Sequence, residues 1–180
     1  MTNTRIEAFV RPLYQDLDGV SRFDAVERVA AIARRLHDPS REMELLLLFQ
    51  GLGGWLDKVG NLSRTALATG LEEAELRRIV ASVKRLDAPM TAAERAVAAA
   101  IAIDNAGVRG LAERLARSRR EGSSVADVAR EELRHRDMPS WMPLQAVLWL
   151  GRRLEARRRV CEEILAELEA PPESFDATPR

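Results

Sequence analysis

Apolar residues recur along this chain at helical spacing. Val26, Val29, Ala30, Ala33 and Leu36 form one stripe, and Leu76, Ile79, Val80, Val83 and Leu86 form another; steps of three and four residues give a helix a single buried face. Start signals stand between the stripes. A Ser or Thr followed three residues later by an acid satisfies the orphan N–H groups of a first helical turn, and Ser21 with Asp24, Thr91 with Glu94 and Ser124 with Asp127 fit that pattern. Stop signals alternate with them at Asp38-Pro39, Gly60, Gly70, Pro89, Gly107, Gly122 and Pro139. The pattern predicts an all-α bundle of eight or nine helices, over about 3–17, 21–37, 41–57, 62–69, 71–86, 91–105, 108–120 and 124–136, with a long last helix over 142–169. The tail from 171 to 180, with three prolines and no apolar period, is expected to be disordered.

The third of these helices is unusual. Leu45 to Phe49 is apolar on every face, which places it at the centre of a bundle. Gly51, Gly53 and Gly54 follow at once, and each glycine inside a helix costs about 1 kcal/mol relative to Ala. Either backbones pass closely there or the helix is broken.

Composition narrows the function classes. The 180 residues are 46% hydrophobic and 31% charged, which suits one globular domain, here expected over 1–170. Lys plus Arg and Asp plus Glu both number 28, so nucleic acid is an unlikely partner for the surface as a whole. No apolar run approaches the roughly 20 residues of a bilayer span, so no membrane role is expected. The single Cys161 has no partner for an internal disulfide, and Met1 to Glu7 lacks the apolar core of a signal peptide. A cytoplasmic, reducing location is the expectation.

Candidate chemistry is sparse. Gly51, Gly53 and Gly54 lack the Lys-Ser/Thr and preceding strand of a phosphate loop. Ser63, Ser82 and Cys161 have no histidine at a recognisable motif spacing for nucleophilic catalysis. His37, before Asp38-Pro39, and His135 each close a helix, where imidazole meets the negative end of the dipole; with Cys161 they offer no zinc spacing. Arginine clusters at Arg114, Arg117, Arg119 and Arg120, and again at Arg152, Arg153 and Arg157 to Arg159. The second run is matched by acids four residues on, Arg158 with Glu162 and Arg159 with Glu163, and reads as a solvated, salt-bridged face.

Three segments in order resemble the HD domain, an all-helical family of mostly metal-dependent phosphohydrolases. Tyr14-Gln-Asp-Leu-Asp-Gly-Val-Ser21-Arg22-Phe-Asp-Ala-Val26 is similar to the family's opening; Glu44 through Gly53-Gly54-Trp55 resembles the apolar helix that ends in the His-Asp pair; Thr91 through Asp104-Asn-Ala-Gly107 resembles the helix carrying the last aspartate. The similarity covers about residues 9–115, leaving a helical extension over about 124–170. Carried across by position, the first ligand histidine is replaced by Arg22 (or by Asp18, for the family histidine that precedes it), the His-Asp pair by Gly53 and Gly54, and Asp104 alone survives.

The resemblance therefore implies a domain that has lost its metal ligands, holds no cofactor and acts by binding. Its remnant pocket would be lined by Arg22, Gly53, Gly54, Lys58, Lys84 and Asp104, with Arg85 near the same helix end. Arg22 there would grip an anionic small molecule or pair with Asp104. A protein partner is the other expectation, including a homodimer through Trp141 and Trp149, which stand among Met142, Leu144, Leu148 and Leu150. The rival readings are an active phosphohydrolase using Asp18, Asp24, Asp57 and Asp104, and a purely structural interaction module.

Overall fold

A computed structural model describes residues 3–15, 22–134 and 138–170. Among these the chain is all-α, with ten α-helices, one short 3-10 helix and no strand. The α-helices are α1 (Asn3–Val10), α2 (Phe23–Leu36), α3 (Arg41–Phe49), α4 (Gly53–Leu56), α5 (Asn61–Thr69), α6 (Glu73–Lys84), α7 (Ala92–Ala106), α8 (Val108–Arg120), α9 (Val125–Arg134) and α10 (Leu144–Glu169). The long last helix is present as expected. Ser21, Asp18, His135 and the 171–180 tail lie outside the described residues, and with them the readings that rested on them.

Two compact units share the chain: Met1–Asn105 with Met138–Leu150, and Ala106–Asp137 with Gly151–Arg180. The core of the first is built around α3. Leu45, Leu46, Leu47, Leu48 and Phe49 are all buried, as their apolar run on every face requires, and they are joined by Val26, Val29 and Ala33 of α2, Leu76 and Ile79 of α6, and Ala96, Val97 and Ala100 of α7. Arg5 ties α1 to the C-terminal end of α5, its Nε donating to the Ala68 carbonyl at 2.8 Å. In the second unit, Leu111, Val128, Ala129 and Cys161 form a smaller core between α8, α9 and the later turns of α10.

Two expected helices are shorter than the apolar pattern suggested. The first ends at Val10 and tightens into a 3-10 turn over Arg11–Tyr14. Pro12 supplies the reason, since it has no N–H to donate back and its ring crowds the preceding turn. The expected 41–57 helix breaks at Gln50–Leu52 into α3 and α4. Both alternatives offered by the glycines are realised at once, because the backbone at Gly51 is also closely approached. A Cβ there would lie 2.9 Å from Tyr14 Cε1. The tyrosine ring is held against the break: its hydroxyl donates to the Leu48 carbonyl at 2.8 Å and accepts the Gly51 N–H at 3.2 Å, and its face meets the Phe23 ring edge-on at 5.7 Å. Burial pushes the phenol up to about 12, so at neutral pH it stays protonated and able to donate.

Serine hydroxyls cap the first turns of two helices. Ser124 Oγ accepts the Asp127 N–H at 3.1 Å at the head of α9, and Ser40 Oγ accepts the Met43 N–H at 3.2 Å at the head of α3. Helix α2 differs, since its N-cap is Arg22 and no side chain caps it; Asp24 instead pairs with Arg28 at 2.8 Å.

Replacing Gly51 by Ala should destabilise the protein by roughly 1–3 kcal/mol, the usual penalty for one extra methyl group in a filled space. Tyr14→Phe should cost about 1 kcal/mol for the lost hydroxyl bonds. Because Gly51 and Tyr14 touch, the double variant measured by denaturant melts should fall short of the sum or exceed it, whereas simple additivity would show that the contact does not hold the break.

Candidate functional site

The positions singled out by the family resemblance separate into distinct local pairs. Asp104, on α7, is 12% exposed at its side chain and is held by Arg28 of α2. Arg28 Nε donates to Oδ1 at 3.1 Å and Nη2 to Oδ2 at 3.0 Å, the two-pronged geometry natural to a guanidinium and a carboxylate. The same arginine donates through Nη1 to Asp24 at 2.8 Å, and its pKa is raised, chiefly by the Asp104 carboxylate. Pairing with Asp104 was one of two roles the sequence offered for Arg22, the other being a grip on an anion. Arg28 holds that place because it lies on the stretch of α2 that runs past Asp104, whereas Arg22 stands ahead of the helix as its exposed N-cap.

Lys84 is engaged elsewhere. Its Nζ lies 2.7 Å from Asp57 Oδ1, joining the end of α6 to the end of α4. Gly53 faces Val83, whose Cγ1 would lie 3.3 Å from a Cβ at that position, while Gly54 faces open space. Lys58 is exposed in the turn after α4. Asp57 therefore pairs with Lys84, and Asp24 and Asp104 pair with Arg28, so three of the four carboxylates in the rival hydrolase reading are taken up by cations.

A divalent metal of the kind the HD domain implies needs several imidazole or carboxylate donors converging on one point. Among the described residues no group of three His, Cys, Asp or Glu side chains converges in that way. Gly53 and Gly54 supply no side-chain donor, and both oxygens of Asp104 are committed to Arg28. The described residues do not fit the metal.

Sequence reasoning missed the strongest electrostatic feature of the first unit. Glu94 was read as half of a capping box, and it is one: Thr91 Oγ1 accepts the Glu94 N–H and Glu94 Oε2 accepts the Thr91 N–H, each at 3.1 Å. It is also fully buried, at 0% exposure. Its Oε2 further accepts the Met90 N–H at 2.7 Å, and Oε1 accepts from Arg85 Nη2 at 2.5 Å. Burial opposes ionisation of Glu94, but the Arg85 guanidinium, the Ser82 hydroxyl and the two backbone N–H groups outweigh it and hold the carboxyl at about 2. Arg85 in turn donates to Ser82 Oγ at 3.0 Å. The signal in the sequence was Glu94 three and four residues before Val97 and Ala98, an acid set on an otherwise apolar helix face.

The second unit has a comparable centre. Glu132 of α9 is 7% exposed and meets two guanidiniums, Arg114 of α8 at 2.5 Å and Arg157 of α10 in direct contact. Arg157 was expected on a solvated face and is instead 9% exposed; its position one turn before Cys161 puts it on the buried side of α10. Desolvation lowers its pKa, Cys161 opposes that and Arg114 adds to it. Desolvation likewise pushes the buried Cys161 thiol up, which keeps it a poor nucleophile. Elsewhere in that run Arg158 pairs with Glu162 at 2.9 Å as expected, while Arg159 turns back to Glu155 at 3.6 Å rather than on to Glu163.

Because the folded-state pKa of Glu94 lies below its ordinary 4.5, its bonds add stability that is complete above about 4.5 and is lost as pH falls towards about 2. Acid titration followed by circular dichroism should show that loss, and Glu94→Gln should remove it. At neutral pH the variant should be destabilised by about 2–3 kcal/mol, since Arg85 keeps access to water after losing its partner. An unchanged acid midpoint in the variant would refute the assignment. No protein-family model, curated protein or solved structure matches the chain.

Proposed function

We propose that this chain is a non-catalytic binding module, an HD-like helical domain in which fixed ion pairs have taken the place of a metal. The observation that carries the reading is the two-pronged Arg28–Asp104 pair. A carboxylate bound through both oxygens to a guanidinium has one acceptor site on each oxygen already taken, and the arginine's fixed charge repels a cation at the remaining ones. Gly53 and Gly54 support the same reading, since they offer no side chain to hold a metal, and Asp57 is paired with Lys84. An anion bound by Lys84 would have to draw it from Asp57.

A second reading, self-association, is favoured by one feature of α10. Leu144 and Leu148 lie one turn apart and are 76% and 60% exposed, an apolar pair on the helix surface. Trp149, expected at the centre of such a contact, is half-buried beneath the Arg35 guanidinium at 4.8 Å from its ring. Among the described residues no helix is long and apolar enough to cross a membrane.

Purified protein should carry no stoichiometric manganese, iron or zinc by elemental analysis and should not hydrolyse phosphomonoesters or nucleotides with added manganese. Metal-dependent hydrolysis abolished by Asp104→Asn would overturn the reading. For the second reading, light scattering after size exclusion should give a dimer that Leu148→Glu converts to a monomer; a monomeric wild type would dismiss it.

A further inference from the structure

Helices α3 and α6 enclose a groove of about 460 Å³, lined by Arg41, Glu42 and Leu45 from one helix and by Glu75, Arg78, Ile79, Ala81, Ser82 and Arg85 from the other side. None of these belongs to the Asp104 set, so the site stands or falls apart from the reading above. The volume lies within the roughly 300–1,000 Å³ usual for small-molecule sites. Leu45 and Ile79 make an apolar floor, 2% and 5% exposed.

The charges on its walls pair off unevenly. Arg41 crosses from α3 to Glu75 of α6 with two bonds, at 2.8 and 3.0 Å, and closes one part of the groove. Arg85 is held by Glu94 and Ser82. Two charged side chains on the walls then form no ion pair among the described residues: Arg78 of α6, which is exposed, and Glu42 of α3, which is exposed, accepts the Thr91 hydroxyl at 3.0 Å and feels Arg85 only at longer range. They are opposite in sign and stand on opposite walls over a common apolar floor.

We propose that the α3–α6 groove binds a small apolar zwitterion of the dipeptide class, its carboxylate on Arg78, its ammonium on Glu42 and its side chains on Leu45 and Ile79. Three arginines and two glutamates line the groove, but Arg41 is taken up by Glu75 and Arg85 by Glu94, so a multiply charged phosphate would meet Arg78 alone and face Glu42 across the floor. A neutral apolar ligand would leave both charged walls uncompensated. A zwitterion matches each wall with its counter-charge, and guanidinium to carboxylate is the stronger of the two contacts.

Leucyl-leucine titrated into the full chain at millimolar concentration, followed by calorimetry and by amide shifts in nitrogen-edited NMR spectra, should bind at the α3 and α6 amides. Arg78→Gln and Glu42→Gln should each weaken it roughly tenfold. Both residues are exposed, and unchanged melting temperatures will show that the variants fold. Capping provides the cross-check: the dipeptide amide should bind wild type and Arg78→Gln equally, and the N-acetyl dipeptide should be similarly indifferent to Glu42→Gln. The proposal is overturned if leucyl-leucine does not bind, if either variant binds it as wild type does, if the doubly capped dipeptide binds as well as the free one, or if the shifts fall outside the groove. None of these outcomes bears on hydrolysis or on Asp104, so a failure here leaves the non-catalytic reading to its own test.

Discussion

The first unit depends on one buried carboxylate. Glu94 begins as a local device, closing the first turn of α7 against Thr91, yet it also receives Arg85 and Ser82 from the end of α6 and the Met90 N–H from the loop between the two helices. Thr91, fixed by that box, donates its hydroxyl to Glu42 at the start of α3. One residue therefore sets where three helices meet. A charge removed from water this completely is tolerable only when donors surround it, and the four groups that do so are spread across segments that must all be in place together. The same condition fixes the walls of the α3–α6 groove, since Arg85 and Ser82 line it, and the direction in which α7 carries Asp104 towards Arg28.

What could be read in the amino-acid sequence was whatever is set by neighbours. Stripes, hydroxyl–acid starts and glycine stops each act within one or two turns, and the helices they predict stand near the expected bounds; Gly70 and Gly122, at φ +75° and +83°, end helices in the left-handed conformation that only glycine adopts freely. Pro12 was an equally local signal against a helix over 3–17 and deserved more weight than the flanking apolar spacing. The break after Phe49 was half legible. Three glycines announced a close approach or an interruption, but Tyr14, the group that makes the approach, lies 37 residues away in the sequence.

The candidate site was far less legible, for the same physical reason. Arg28 and Asp104 are separated by 76 residues, and nothing within either segment distinguishes Arg28 from Arg22 as the partner; that choice is made by where α2 passes α7. Arg157 shows the limit from the other side. Its neighbours Arg158 and Arg159 obey the local rule of pairing along the helix surface, while it answers to a carboxylate on another helix. Charge composition is silent on this difference.

A balanced net charge acquires a structural meaning here. Arginines outnumber lysines heavily in this chain, and the structure uses the planar fork where a point charge would not serve: Arg28 on Asp104, Arg34 on Glu44 and Arg41 on Glu75 each make two bonds to one carboxylate across a helix pair. Exposed members of that set contribute little to stability individually; their effect is to fix the rotation of one helix against the next, because a two-pronged contact is satisfied at one orientation only. A metal centre imposes the same constraint through coordination geometry. Arg28 constrains α2 against α7 in the same manner, by a directional contact to Asp104 that is satisfied at one orientation.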